Sequence, residues 1–140
     1  MNVKEFLTLV EDKNEAIIEK QEYIDRLRGS LGIAGIDYSK DRIQGGGSSD
    51  QFAEVFSKIF KAEEDLKKMK EDFVQFRVQV IDMISELPDR KHREILNHVY
   101  LDYKKLKDCA DLMGFSYDYI RELHIQALIS FEENFPHQFC

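Results

Sequence analysis

The cysteines and histidines of this sequence, Cys109, Cys140, His92, His98, His124 and His137, are the first candidates for metal ligands or nucleophiles. They are too scattered to form the close pairs that a zinc site requires. His92 and His98 stand six residues apart, which does not place both on one face of a helix. Asp108 and Asp111, like Glu63, Glu64 and Asp65, read as solvated faces of helices rather than acid/base pairs. The run Gly45-Gly46-Gly47-Ser48-Ser49 lacks the Gly-Lys-Ser/Thr ending of a phosphate-cradling loop. No nucleophile–base–acid set can be assembled, so neither an enzyme nor a metal or cofactor is expected.

The remaining chemistry is recognition at a surface. Leu106 to Leu123 reads as two short helices meeting at a tight turn, a helix-turn-helix. Ala110 is small where the second helix must cross closely. Gly114 sits where the first helix stops and the backbone turns through positive φ. Ser116 can N-cap the next helix. Cys109, Met113, Phe115, Ile120 and Leu123 supply the apolar contacts between the two helices. The helix from Tyr117 onward is then the one placed to enter a DNA major groove.

Long helices must position this motif. Val3, Val10, Ile17, Ile24 and Leu31 recur every seven residues, with Phe6 and Leu27 on companion positions that Lys13 and Lys20 interrupt. This predicts a helix ending at Gly29. Residues 29–50, with Gly29, Gly32, Gly35 and the Gly45–Gly47 run, read as a flexible irregular loop. A second helix is predicted from Ser49 or Asp50. Phe52, Ile59, Leu66, Phe73, Val80 and Leu87 form one of its rows, and Val55, Ala62, Met69, Phe76 and Met83 the other. The two helices pair as an antiparallel hairpin, and the longer one leaves part of its seam for a second subunit. Pro88 ends the long helix and opens another over about 89–102, with Ile95, Leu96, Val99 and Tyr100 on one face. The tail Phe135-Pro136-His137-Gln138-Phe139-Cys140 is apolar and aromatic; it either tucks against the hairpin or forms a small docking element.

At 140 residues with 43% hydrophobic content, the chain can bury a core in one or two small domains. Two prolines and 34% charged residues fit a helical protein. Two cysteines do not make a disulfide framework, and the N-terminus has no signal-peptide pattern. No apolar run approaches the roughly 18 residues of a membrane span. A cytoplasmic location is expected. The net charge of −7 works against DNA binding, because Lys and Arg contacts to phosphate supply most non-specific affinity.

From Leu87 to Leu128 the chain resembles region four of bacterial sigma factors. The likeness rests on Leu87-Pro88, Arg90, Arg93, Ile95-Leu96, Tyr100-Leu101, Cys109 to Ser116, Ile120-Arg121 and Ala127-Leu128. The run Asp41 to Asp50, followed by Ile59, is similar to an element of small phage regulators of the ArpU and RinA type. The resemblance implies a phage or prophage transcription regulator, an activator of late genes, with RNA polymerase as a second partner beside double-stranded DNA. It places Tyr117, Asp118, Arg121 and Glu122 at base edges, and Ser116 and Tyr119 near phosphates. The sequence departs from sigma region four in having a single basic residue, Arg121, early in the recognition helix. Residues 86–135 hold seven Lys and Arg against ten Asp and Glu, a net of −3. Phosphate contacts then fall to Lys104, Lys105, Lys107, Arg90, Lys91 and Arg93, and dimerisation would double that basic surface.

The expected architecture is all-α: a coiled-coil-like antiparallel hairpin over 1–87, then a three-helix helix-turn-helix domain over 88–140. The expected function is sequence-specific DNA binding by a homodimer joined through the N-terminal helices. The alternative is a non-enzymatic adaptor or inhibitor that binds a protein through the same fold, using Tyr117, Tyr119, Phe135 and Phe139.

Overall fold

The computed structural model describes residues 1–33 and 46–139, and every regular element among them is helical. Helix α1 runs Val3–Ile33, α2 Gly46–Ser85, α3 Arg90–Leu96, α4 Leu106–Met113 and α5 Tyr117–Asn134. A π-helical turn, Asn97–Leu101, continues α3, and a short 3-10 turn spans Pro136–Gln138. The protein is therefore all-α, a helical hairpin followed by a helix-turn-helix.

Local signals explain most ends. Asn2 caps α1: its Oδ1 accepts from the Glu5 amide at 2.8 Å, and the Glu5 carboxylate accepts from the Asn2 amide at 3.3 Å, a reciprocal box. Pro88 prevents α2 from continuing, and Asp89 caps α3 by accepting from the Lys91 amide at 2.8 Å. That bond to the carboxylate, the largest cause, lowers the Asp89 pKa. The end of α1 differs from expectation. It passes Gly29 and Gly32 to Ile33, because Leu31 is buried against Ile59, Ala62 and Leu66. Packing of one side chain outweighs a glycine cost of about 1 kcal/mol per residue. The second helix likewise begins at Gly46, so Ser49 and Asp50 lie within it rather than capping it. The expected irregular loop of 29–50 is thereby shortened at both ends. Its remainder, with the Asp41–Gly45 part of the phage-regulator-like run, lies outside the described residues, as does Cys140.

The chain divides into two compact units, one of residues 1–14 with 73–140 and the other of residues 15–72. The expected boundary at 87/88 does not coincide with this division. In the first unit, Val3, Leu7 and Val10 of α1 and Val80, Met83, Ile84 and Leu87 of α2 share one core with Ile95, Leu96, Tyr100, Cys109, Ile120, Ala127 and Phe131. The start of α1 and the end of α2 are thus walls of the helix-turn-helix core. In the second unit, Ile24 and Leu31 pack with Ile59, Ala62 and Leu66, and Arg28 bridges Glu63 at 2.9 Å.

The aromatic tail turns inward. Phe139 meets Phe6 edge-on at 5.2 Å between centroids, and Phe131 lies 5.0 Å from Phe135 and 5.8 Å from Phe139. Of the two uses expected for this segment, packing against the hairpin is the observed one.

Candidate nucleic-acid interface

The turn between α4 and α5 is built as the residue types require. Gly114 adopts φ 74°, ψ 32°, the left-handed region that glycine enters without a Cβ penalty. Its amide and that of Phe115 both donate to the Ala110 carbonyl, at 3.0 and 3.1 Å, closing α4. Ser116 is extended, and its Oγ accepts from the Tyr119 amide at 3.2 Å, starting α5. Cys109, Ala110, Ile120 and Leu123 are buried at the crossing, while Met113 and Phe115 pack half-buried against it. Burial pushes the Cys109 thiol pKa up, which suits a core side chain rather than a reactive one.

The outward positions are exposed: Ser116, Tyr117, Asp118, Tyr119, Arg121 and Glu122. The Arg121 guanidinium lies over the Tyr117 ring at 5.9 Å. Lys91, from the first turn of α3, places its ammonium 5.2 Å from the Phe115 ring centroid and 5.7 Å from that of Tyr119. It also donates to the Tyr119 hydroxyl at 3.3 Å. The start of α3 and the turn before α5 therefore form one surface of cations and aromatic rings. Lys104, Lys105 and Lys107 are exposed around the start of α4.

Two arginines among the candidate phosphate contacts have intramolecular partners. Arg93 is half-buried and donates to the carbonyls of Leu87 and Pro88, at 2.6 and 3.1 Å. It holds the α2–α3 corner. Arg90 pairs with Glu94 at 3.1 Å on an exposed face, a pair that solvent screens and that a phosphate could displace. Ser116 is a cap as well as an outward residue, and Phe135 and Phe139 pack half-buried against the core.

The loop that presents Lys104 and Lys105 is held by unexpected means. Tyr103 takes φ 58°, a conformation uncommon outside glycine, and packs half-buried on the core. Arg77 of α2 donates to the Leu101 carbonyl at 3.0 Å. Burial raises the Tyr103 phenol pKa, with Arg77 opposing the rise.

One buried polar pair fixes α5 against α3. The Tyr100 hydroxyl and His124 Nε2 are 2.7 Å apart, with the two rings stacked at 5.7 Å. Burial pushes the Tyr100 pKa up to about 12 and that of His124 down, with Lys4 adding to the latter. Tyr100 lies in the π-turn, where it and Leu101 are buried and Val99 is half-buried. Neutral His124 fits this site and the imidazolium does not. Below the unfolded pKa near 6.5 the unfolded chain binds more protons than the folded one, so stability falls as pH falls. Thermal melts from about pH 7.5 to 5.5 should show a decline that His124→Gln reduces; an unchanged slope in that variant refutes the assignment.

The four histidines are not brought together: His92 lies on α3, His98 in the π-turn, His124 on α5 and His137 in the tail. Among the described residues no three His, Cys, Asp or Glu side chains are grouped to hold a metal, and no helix is long and apolar enough to cross a membrane.

These elements define an all-α protein whose hairpin base and helix-turn-helix share one core. The chain belongs to the family described as protein of unknown function DUF1492, whose profile matches residues 33–129. That range takes in all of α2 to α4 and most of α5. No curated protein and no solved structure shows significant similarity to the chain.

Proposed function

We propose that the protein is a cytoplasmic, phage- or prophage-encoded transcription regulator that binds double-stranded DNA as a homodimer through the start of α5. The observation that carries this reading is the capped turn at Gly114–Ser116. It leaves Tyr117, Asp118, Arg121 and Glu122 exposed on the first turns of an 18-residue helix. Such a helix end can enter a major groove, where arginine pairs with guanine and a carboxylate accepts from cytosine. Lys104, Lys105 and Lys107, with Lys91 at the turn, supply cations for the flanking phosphates. Activation of late genes and contact with RNA polymerase follow from the likeness to sigma region four and belong to the same proposal.

The test is titration against genomic fragments flanking the protein's own gene at two salt concentrations. A preferred fragment whose binding weakens with salt is the expected result. Replacing Lys104, Lys105 and Lys107 together by Ala should weaken binding to all fragments alike and reduce the salt slope by about three. Absence of a preferred fragment at low salt would sink the proposal.

The acidic outer face of α5 favours a second reading, a protein-binding adaptor. Asp118, Glu122, Glu132 and Glu133 outnumber Arg121 there. Tyr117 and Tyr119 remain exposed for such a role.

A further inference from the structure

Arg121 is the one lysine or arginine on α5, so readout of guanine by that helix rests on a single side chain. Its exposed neighbours on the helix are Tyr117 four residues before, Asp118 three before, Glu122 beside it and Ile125 four after. Among the described residues no carboxylate pairs with it. Glu122 accepts from the Gln126 side chain at 3.2 Å instead, and the guanidinium lies over the Tyr117 ring, 5.9 Å from its centroid. The neighbouring exposed ring is occupied otherwise: Tyr119 meets Lys91 and Phe115. Lys91 and Arg121 thus rest on different rings.

A carboxylate and a ring hold a guanidinium differently. A carboxylate takes up the N–H donors that guanine O6 and N7 would otherwise receive. A ring face attracts the positive charge and leaves the donors at the planar rim free. An arginine free to sample its rotamers also loses that freedom when it docks on a base, and one already resting on a ring loses less.

We propose that the Tyr117 ring positions the Arg121 guanidinium for base readout, so that Tyr117 acts through Arg121 and not by its own hydroxyl at a base edge. The inference rests on the DNA-binding reading and adds a specificity-determining residue to it. Tyr117 is 49% exposed, and among the described residues no hydrogen bond fixes its hydroxyl. The ring alone is then required, and phenylalanine should serve as well as tyrosine. Because Arg121 rests on the ring, the Asp118 and Glu122 carboxylates are not tied to it and can accept from cytosine.

Fluorescence anisotropy on the preferred genomic fragment and on a shuffled duplex of equal length tests this through the ratio of the two affinities. Tyr117→Leu keeps an apolar side chain that suits a helix but has no ring face. It should lower the ratio about two- to fivefold, the worth of an exposed cation–ring contact, with the helical circular dichroism signal unchanged. Tyr117→Phe should keep the wild-type ratio, and in an Arg121→Ala background Tyr117→Leu should change it no further. A ratio that falls equally in the Phe variant, or falls further in the Arg121→Ala background, overturns the proposal. Without DNA, proton resonance should find the Arg121 Cδ protons shifted upfield by the ring in wild type and Tyr117→Phe, relative to Tyr117→Leu. Equal shifts in all three overturn the positioning role and leave the DNA-binding reading intact. A wild type that prefers no fragment overturns both, whereas a preferred fragment whose ratio Tyr117→Leu leaves unchanged overturns this inference alone.

Discussion

A fragment of residues 86–140 is expected not to fold, although it contains the whole helix-turn-helix. Cutting there removes Val3, Leu7, Val10, Val80, Met83 and Ile84 from the core they share with Ile95, Leu96, Ile120, Ala127 and Phe131. Full burial of one aliphatic side chain is worth roughly 1.5–3 kcal/mol, and a whole domain is stable by about 5–15 kcal/mol. Losing six such partners exceeds what the remaining helices can supply. Phe6, which faces Phe76, Phe131 and Phe139, goes with them. The fragment should show no sharp thermal transition and should bind a hydrophobic dye. By contrast, a chain that joins Asn14 to Phe73 through a short linker keeps every member of that core and should melt cooperatively. Cooperative melting of the 86–140 fragment would mean that the hairpin base is only an attachment.

Phe131→Ala is the single substitution expected to cost most. Its ring is fully buried and lies within 6.3 Å of Phe6, 5.0 Å of Phe135 and 5.8 Å of Phe139. Removing a buried phenylalanine typically costs about 3–5 kcal/mol, from lost transfer free energy and the cavity left behind. The ring also joins α1, α5 and the tail, so collapse of the void would have to move three segments at once. Urea unfolding of the variant measures the loss through its midpoint, with the slope unchanged. Phe139→Ala removes a half-buried ring and should cost clearly less. A Phe131→Ala loss under about 1 kcal/mol would contradict the account of the tail as part of this core.

Much of the fold was legible because its signals are arithmetic. The rows Val3 to Leu31 and Phe52 to Leu87 repeat every seven residues, and each of their members is buried or half-buried. The turn was legible for a different reason: Gly114 and Ser116 each solve a local backbone problem that few residue types can solve. What escaped was decided by tertiary contact. Leu31 carries the first helix through two glycines, and no window around Gly29 and Gly32 reveals the partner that makes this favourable. The division into units depends on which helices share a core, and a proline at 88 marks only where one helix stops.

The candidate site was legible in its outward residues and not in its supports. The resemblance to sigma region four pointed to Tyr117, Asp118, Arg121 and Glu122 as outward residues of the recognition helix, and all four are exposed. Arg93 looked like a phosphate ligand by charge alone, yet two carbonyls at the α2–α3 corner hold its guanidinium. The pairing of Tyr100 with His124 joins residues 24 apart, beyond the reach of helical spacing. On the surface made by Lys91, Phe115 and Tyr119, Lys91 meets rings 24 and 28 residues away, again beyond that reach.

The central claim is that the first turns of α5 read DNA sequence, and Arg121 tests it most directly. Fluorescence anisotropy would compare wild type and Arg121→Ala on the preferred genomic fragment and on a shuffled duplex of equal length. The account predicts that the variant loses about 1–3 kcal/mol on the preferred fragment only, keeping the weak, salt-sensitive binding to the shuffled one. Equal affinities of wild type and variant on the preferred fragment, or no difference between the two duplexes for the wild type, would contradict it.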